Sequence, residues 1–144
     1  MEKKVCIVTG ASGDIGSKIC LRFLKDGYFV IMVADNREKL EKTAADLFLD
    51  NNDYMILPMD ITSQEEVKKG IEEIDEQFHH IDALVNTAGI CGVYNKTEDY
   101  TYECFRKVYE VNVFGTFLMM KYVLPIMKRQ NSGSIVNFGS VSGM

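Results

Sequence analysis

Short apolar runs alternate with longer amphipathic stretches along the chain, and this alternation limits the possible fold more than any other feature. The runs are rich in β-branched residues and almost continuously apolar, which is typical of strands buried on both faces. The predicted strands cover Val5–Val8, Tyr28–Val33, Tyr54–Leu57, Ala83–Val85 and Ser134–Val136. Strands that alternate with helices in this way build a parallel sheet.

The stretches between these runs have the apolar spacing of amphipathic helices. The first predicted helix covers Asp14–Asp26 and is stopped by Gly27, and the second covers Arg37–Leu49. The third opens with a capping box from Ser63 to Glu66, and the fourth runs from Thr101 to Arg129. Right-handed crossovers between parallel strands then predict a doubly wound, three-layer α/β/α fold. With 144 residues the chain is long enough for one domain.

Composition excludes several classes of function. With 47% hydrophobic and 26% charged residues, the chain resembles ordinary soluble globular proteins. The net charge of −5 provides no electrostatic footprint for nucleic acid or anionic lipid. The apolar stretch from Val111 to Met127 is interrupted by Asn112, Lys121 and Pro125, so it predicts a buried or subunit-facing helix rather than a membrane span. We see no signal peptide and expect a cytoplasmic protein without nucleic-acid or membrane partners.

Cysteine and histidine usage predicts neither disulfides nor a metal site. The four cysteines form no C-x-x-C pair, so we expect reduced thiols that pack as small hydrophobes. His79 and His80 are adjacent, but no acidic or cysteine partner has ligand spacing relative to them.

A glycine-rich turn lies between the first predicted strand and the first predicted helix, from Thr9 to Gly16. Gly10 allows a sharp turn, Gly13 allows close approach of a pyrophosphate, and Gly16 lets the helix lie close to the strands. Glycine also occurs in turns for structural reasons alone, but the position before a helix N-terminus favours phosphate binding. The candidate cofactor-binding residues of this turn are Gly10, Ser12, Gly13, Asp14, Ile15 and Gly16.

Asp35 follows the second predicted strand, nineteen residues after Gly16. A carboxylate at this spacing accepts hydrogen bonds from the adenosine ribose hydroxyls and repels a 2′-phosphate. In isolation the same residue would be a solvated loop aspartate. The spacing therefore predicts NAD as the cofactor, with NADP disfavoured.

Together with these two features, four further motifs resemble the short-chain dehydrogenase/reductase family over the whole chain. Asn86-Thr87-Ala88-Gly89 resembles its Asn-Asn-Ala-Gly motif, and Asp60-Ile61 resembles the pair that contacts adenine. Asn112, within Val111-Asn112-Val113, matches the family's helix asparagine, and the segment 133–140 resembles the strand that delivers a catalytic serine, here Ser140. Taken singly, each motif has a structural explanation, as a strand exit, a helix residue or a turn serine.

The resemblance implies a five-stranded Rossmann-like sheet in the order 3-2-1-4-5 and hydride transfer between NAD(H) and a small carbonyl or alcohol substrate. Ser140 would hydrogen-bond the substrate oxygen, and Asn112 would hold a water in a proton relay. Asp60, Ile61, Asn86, Ala88 and Gly89 join the candidate cofactor-binding residues. The resemblance also implies a homo-oligomer whose subunits meet through the fourth helix, which is apolar around most of its circumference.

The sequence departs from the family pattern in two places. Asp14 stands where the main branch has its middle glycine, so its carboxylate either lies near the expected pyrophosphate or caps the helix and points away. The family's Tyr-x-x-x-Lys motif, which follows the serine, does not occur before Met144. We therefore expect a dinucleotide-binding domain over 1–144, truncated before that motif and inactive alone. The alternatives are a non-catalytic NAD-binding module and an extended-branch sugar-nucleotide epimerase or dehydratase. Only the glycine spacing suggests the latter, and the downstream motifs resemble the main branch.

Overall fold

The computed structural model describes residues 2–47 and 52–141. Its strands are β1 (Val5–Thr9), β2 (Phe29–Ala34), β3 (Tyr54–Pro58), β4 (Ala83–Asn86) and β5 (Ser134–Asn137). All neighbouring pairs are parallel, and the strands form one sheet in the order β3-β2-β1-β4-β5. The structure thus confirms the predicted doubly wound sheet and its strand order.

Helices cover both faces of this sheet. They are α1 (Asp14–Lys25), α2 (Arg37–Asp46), α3 (Gln64–Phe78), α4 (Tyr102–Tyr109) and α5 (Thr116–Arg129). Cys20 of α1 and Leu40 of α2 belong to one buried core, and Ile74 of α3 and Met119 of α5 belong to the other. The two cores lie on opposite faces, because successive residues of a strand point to opposite sides. This arrangement is the predicted three-layer α/β/α sandwich.

The ends of the first two helices follow from local chemistry. Gly27 adopts a φ of 84° after α1 and donates its N–H to the carbonyl of Leu24, while Tyr28 N–H donates to Phe23. This left-handed glycine terminus stops the helix where the sequence predicted. The second helix was predicted too long: α2 ends at Asp46, with Leu47 as its C-cap. The remaining predicted positions, 48 and 49, lie outside the described residues.

The fourth predicted helix is continuous from Tyr102 to Arg129, but its middle is a π-helical segment, Glu110–Gly115. The apolar periodicity did not predict this widened turn, which leaves about half of the surface of Phe114 exposed. Such segments are often found at functional sites. Among the described residues, no helix is both long and apolar enough to cross a bilayer.

The loop between β4 and α4 contains a short 3₁₀ turn, Thr97–Asp99. Asn95 closes this turn by donating from Nδ2 to the carbonyl of Asp99 at 3.0 Å. The Tyr100 hydroxyl accepts from the N–H of Val93 at 3.3 Å and so holds the loop against the start of α4.

Two of the four thiols are packed in the core between the sheet and α1. Cys6 and Cys20 are buried, Cys91 is exposed and Cys104 is partly exposed, and all four are free. Burial raises the pKa of Cys20 to about 12 and also raises that of Cys6, so both remain neutral thiols. Cys6 and Cys20 thus pack as small hydrophobes, as the sequence predicted, whereas this prediction is wrong for the exposed Cys91.

Candidate functional site

A cleft of about 380 Å³ opens at the carboxyl edge of the sheet, outside the ends of β1, β2, β3 and β4. In doubly wound sheets, ligands bind outside the carboxyl ends of the strands, at the point where the strand order reverses. The cleft brings together many of the residues that the sequence singled out: Gly10, Ser12, Gly13, Asp35, Asp60, Ile61, Ala88 and Gly89.

The glycine turn is packed so closely against its neighbours that side chains cannot be added at two positions. Gly10 has a φ of 64°, and a Cβ there would lie 2.8 Å from the backbone nitrogen of Ala88. A Cβ at Gly16 would overlap the carbonyl oxygen of Gly10. Gly13 donates its N–H to the same carbonyl at 3.0 Å, which closes the turn before α1 begins. The turn is therefore a rigid cradle with main chain rather than side chains at its surface.

Asp14 does not cap α1. Gly13, in an extended conformation, is the N-cap residue, and Asp14 is the first residue of the helix. The N-cap position that the capping alternative needs is therefore occupied by Gly13, so that alternative is wrong. The carboxylate is exposed, and the partial positive charge of the helix terminus stabilises it.

Two carboxylates, those of Asp35 and Asp60, line the cleft. Asp35 follows β2 and is exposed, while Asp60 follows β3 and organises its own loop. Asp60 Oδ1 accepts from the Thr62 N–H at 2.9 Å and from the Thr62 hydroxyl at 2.7 Å. The main chain of the Asp60–Thr62 loop is thereby held in one conformation.

The predicted capping box of α3 forms only in half. Ser63 Oγ accepts from the N–H of Glu66 at 3.3 Å, as expected, but the Glu66 carboxylate does not return to Ser63. It accepts instead from the N–H of Asp60 at 2.8 Å. The Ser63 N–H donates to the Asp60 carbonyl, so it is not available to Glu66. The Glu66 carboxylate therefore stabilises the Asp60 loop that lines the cleft.

The exit of β4 is tied to the end of β1. Thr87 Oγ1 donates to the carbonyl of Thr9 at 2.6 Å, and the N–H of Ala88 donates to Thr9 Oγ1 at 3.3 Å. These bonds place Ala88 and Gly89 on the cleft wall. Asn86 is buried and does not line the cleft; its Nδ2 donates to Asn137 Oδ1 at 2.9 Å, which joins β4 to β5.

Asn112 lies in the π-helical segment and clamps the loop that follows β4. Its Oδ1 accepts from the N–H of Ile90 at 2.8 Å, and its Nδ2 donates to the carbonyl of Ile90 at 2.9 Å. Its own carbonyl accepts from the Thr116 hydroxyl at 3.1 Å. The side chain thus positions the loop, and a water-holding role for Asn112 stays a prediction.

Ser140, Ile15 and Gly16 lie at the carboxyl edge of the sheet but outside the cleft lining. The segment that leads to Ser140 is held by the N–H of Phe138, which donates to the Asn86 carbonyl at 3.1 Å. Ser140 is exposed, three residues beyond the end of β5.

Sequence reasoning missed several cleft residues, above all Lys107 and Val111 on the long helix. Their spacing of four residues places them on one helical face, but nothing local in the sequence shows that this face meets the glycine turn. Among residues 2–47 and 52–141 we find no cluster of three or more His, Cys, Asp or Glu side chains suited to a metal ion.

A doubly wound parallel sheet with a glycine cradle and a cleft at its carboxyl edge defines a Rossmann-like nucleotide-binding protein. The sequence pattern of the family described as short chain dehydrogenase matches residues 4–144. The chain therefore belongs to the short-chain dehydrogenase/reductase family.

Relatives and solved structures agree with this assignment. The chain is 37% identical over 144 residues to the uncharacterized oxidoreductase YxjF of Bacillus subtilis, covering 100% of this chain and 56% of the relative. It is 32% identical to the uncharacterized oxidoreductase SERP2049 of Staphylococcus epidermidis, covering 99% and 60%. The chain thus spans little more than half the length of these relatives.

Among solved structures, an NAD⁺-bound xylitol dehydrogenase superimposes with a TM-score of 0.92 at 37% identity, covering 99% of this chain and 55% of that one. ElxO with NADP bound superimposes with a TM-score of 0.90 at 35% identity, covering 99% and 57%.

Proposed function

We propose that this chain forms the NAD(H)-binding part of an oxidoreductase that transfers a hydride between the nicotinamide and a carbonyl or alcohol substrate. The observation that carries the proposal is the convergence of the glycine turn, Asp35 and the loops after β3 and β4 on one cleft. Membership of an oxidoreductase family supports the same reaction class.

The residues of the cleft suit the parts of a dinucleotide. The cradle of Gly10, Ser12 and Gly13 would hold the pyrophosphate, because a main-chain surface and the N-terminus of α1 favour an anion. Asp60 and Ile61 would contact the adenine from one side, and the loop of Ala88 and Gly89 from the other. When bound, NAD supplies the hydride chemistry, and the protein binds and orients it.

We further propose that the cofactor is NAD rather than NADP. The Asp35 carboxylate would accept hydrogen bonds from ribose hydroxyls and would repel a 2′-phosphate. Arg37 is the residue that could oppose this preference, but its guanidinium lies 3.7 Å from Glu41 Oε1, along α2. Xylitol dehydrogenase binds NAD⁺ and ElxO binds NADP, so the preference of this chain rests on its own residues.

For catalysis, Ser140 would hydrogen-bond the substrate oxygen and stabilise charge that develops on it. Asn112 would hold the π-helical segment and the Ile90 loop beside the cleft and help to retain a relay water. None of the seven tyrosines is followed four residues later by a lysine. The 144 residues therefore lack the family's general acid/base pair, and we expect no turnover from them alone.

We also propose a cytoplasmic homo-oligomer that forms through the long helix. Several of its apolar side chains are about half exposed: Val113, Phe114, Phe117 and Leu124. Apolar surface on one helix favours association with a second apolar surface.

Calorimetric titration of NAD⁺ and NADP⁺ tests the proposal directly. Binding of NAD⁺ with 1:1 stoichiometry, and tighter binding of NAD⁺ than of NADP⁺, would support it. Failure of the chain to bind either nucleotide would overturn it.

A further inference from the structure

Lys107 is the cationic side chain that lines the cleft. It lies on α4, four residues before Val111, and both residues face the same cavity as the glycine turn. The other charged residues of the lining are Asp35 and Asp60, which are both acidic. The cleft lining thus combines one lysine with two carboxylates.

The ammonium of Lys107 is available for a ligand. Within the described part of the chain, it takes part in no ion pair, whereas the adjacent Arg106 binds Glu110 with 3.2 Å between Nε and Oε1. The Lys107 side chain is exposed, so its flexible stem can extend into the cleft without losing an existing contact.

We propose that Lys107 is a cofactor-affinity residue, whose charge attracts the phosphates of an adenine dinucleotide into the cleft. The proposal rests on the proposed function and names a residue of the same site.

Electrostatics supports this role. The chain carries a net charge of −5, and the cleft holds two carboxylates, so an anionic nucleotide would otherwise approach a repulsive surface. Asp14, in the first turn of α1, adds a further negative charge next to the cradle. No lysine or arginine occurs in the turn from Ala11 to Gly16. Besides the partial positive charge at the N-terminus of α1, the charge in the cleft lining that can offset these carboxylates is that of Lys107.

The test compares ligands that differ in phosphate content. ADP-ribose, AMP and adenosine are titrated into the wild-type chain and into Lys107→Met, Lys107→Gln and Lys107→Arg. The Met and Gln variants remove the charge but keep a long side chain, and the Arg variant keeps the charge. Lys69→Met serves as a matched control, because Lys69 is an exposed lysine of α3 outside the cleft. Circular dichroism checks that each variant is folded.

We expect the Met and Gln variants to bind ADP-ribose about three- to tenfold more weakly at low ionic strength, with the loss shrinking at about 0.5 M salt. Adenosine affinity should not change, and the Arg and Lys69→Met variants should bind all three ligands like the wild type. Equal ADP-ribose affinity in wild type and both neutral variants would overturn the proposal. An equal loss for adenosine would also overturn it, because Lys107 would then contact the nucleoside rather than the phosphates. If the wild-type chain bound none of the ligands, the proposed function itself would fail.

Discussion

The amide of Asn86 donates from Nδ2 to Oδ1 of Asn137 at 2.9 Å, across the ends of β4 and β5. The two residues are also register partners in the sheet, and Phe138 N–H donates to the Asn86 carbonyl. Asn86 is 4% exposed, and its Oδ1 has no hydrogen-bond partner among the described residues. A hydrogen bond between the buried Asn86 and the exposed Asn137 therefore holds β5, the strand from which the chain continues to Ser140.

Removing this pair should destabilise the fold. Asn86→Ala removes the donor of this hydrogen bond, and we expect the free energy of unfolding to fall by about 0.5–1.5 kcal/mol. Urea denaturation followed by circular dichroism measures the change. Asn95→Ala is the control, because it removes an exposed loop amide whose bonds water can replace. Equal stability of Asn86→Ala and wild type would show that the pair contributes nothing.

The strands and the helix faces could be predicted from the sequence because each rests on local information, whereas the strand order came from the family resemblance. A buried parallel strand such as β2 is apolar throughout, and Gly27 marks a helix end by its own backbone freedom. The glycine turn was found for the same reason, since its function depends on spacing within one short segment.

Features that depend on distant parts of the chain could not be predicted in this way. Asn112 hydrogen-bonds to Ile90, which lies 22 residues earlier in the chain. The Glu66 carboxylate hydrogen-bonds to the N–H of Asp60 rather than, as the capping box predicted, to that of Ser63. Lys107 lines the cleft only because the long helix packs next to the loops that follow β3 and β4. The π-helical segment also escaped prediction, because one additional residue in a turn hardly disturbs an apolar periodicity.

Asp35 should set the choice of cofactor. We expect wild-type protein to bind NAD⁺ more tightly than NADP⁺ by a factor on the order of ten, and Asp35→Ala to narrow this ratio through loss of ribose bonds and of repulsion. Calorimetry with both nucleotides measures the ratio, and Asp46→Ala, which removes an exposed carboxylate on α2, is the control. Equal or tighter NADP⁺ binding by the wild type would sink the assignment.

The 144 residues alone should show no dehydrogenase activity. Ser140 and Asn112 are weak proton donors at neutral pH, and loss of a positioned general acid/base typically costs about 10²–10⁴-fold in rate. NADH oxidation is followed at 340 nm with a panel of small carbonyl compounds, on protein freed of host enzymes. Turnover that co-purifies with the chain and disappears in Ser140→Ala would contradict this expectation.

The ion pair between Asp75 of α3 and Arg129 of α5 should make the stability of the fold depend on pH at low pH. Arg129 donates to both carboxylate oxygens, at 3.0 and 2.5 Å, and these bonds lower the pKa of Asp75 from its ordinary value of 3.8. A lowered folded-state pKa gives a stabilisation that is complete above pH 3.8 and is lost as the pH falls through the folded-state value. Asp75→Asn should therefore unfold at a slightly lower temperature than wild type at pH 7.

Thermal unfolding at a series of pH values separates this pair from other carboxylates. The gap between wild type and Asp75→Asn should close as the pH falls below 3.8. Glu72→Gln is the control, since its partner Lys68 lies 3.8 Å away on the same exposed helix face and such pairs contribute little. A gap that stays constant down to the lowest pH would mean that Asp75 acts through packing rather than charge.

The long helix should drive self-association of the chain. Phe114 and Phe117 are 52% and 55% exposed and lie three positions apart, which places them near each other on the surface of the long helix. Val136 and Phe138 add apolar surface at the β5 edge, where they are each 49% exposed. Unpaired strand edges and apolar patches both promote association between copies.

Light scattering over a concentration series should show the mean mass of the wild-type chain rising with concentration. The double variant Phe114→Glu/Phe117→Glu should shift this rise to higher concentration, because two charges cannot be buried against a second apolar helix without a large desolvation cost. Tyr94→Glu is the control, since it changes a fully exposed loop aromatic outside the helix. A wild-type chain that stays monomeric at every concentration would show that the exposed face of the helix is not an association surface. A double variant that associates as strongly as wild type would instead assign the association to the β5 edge.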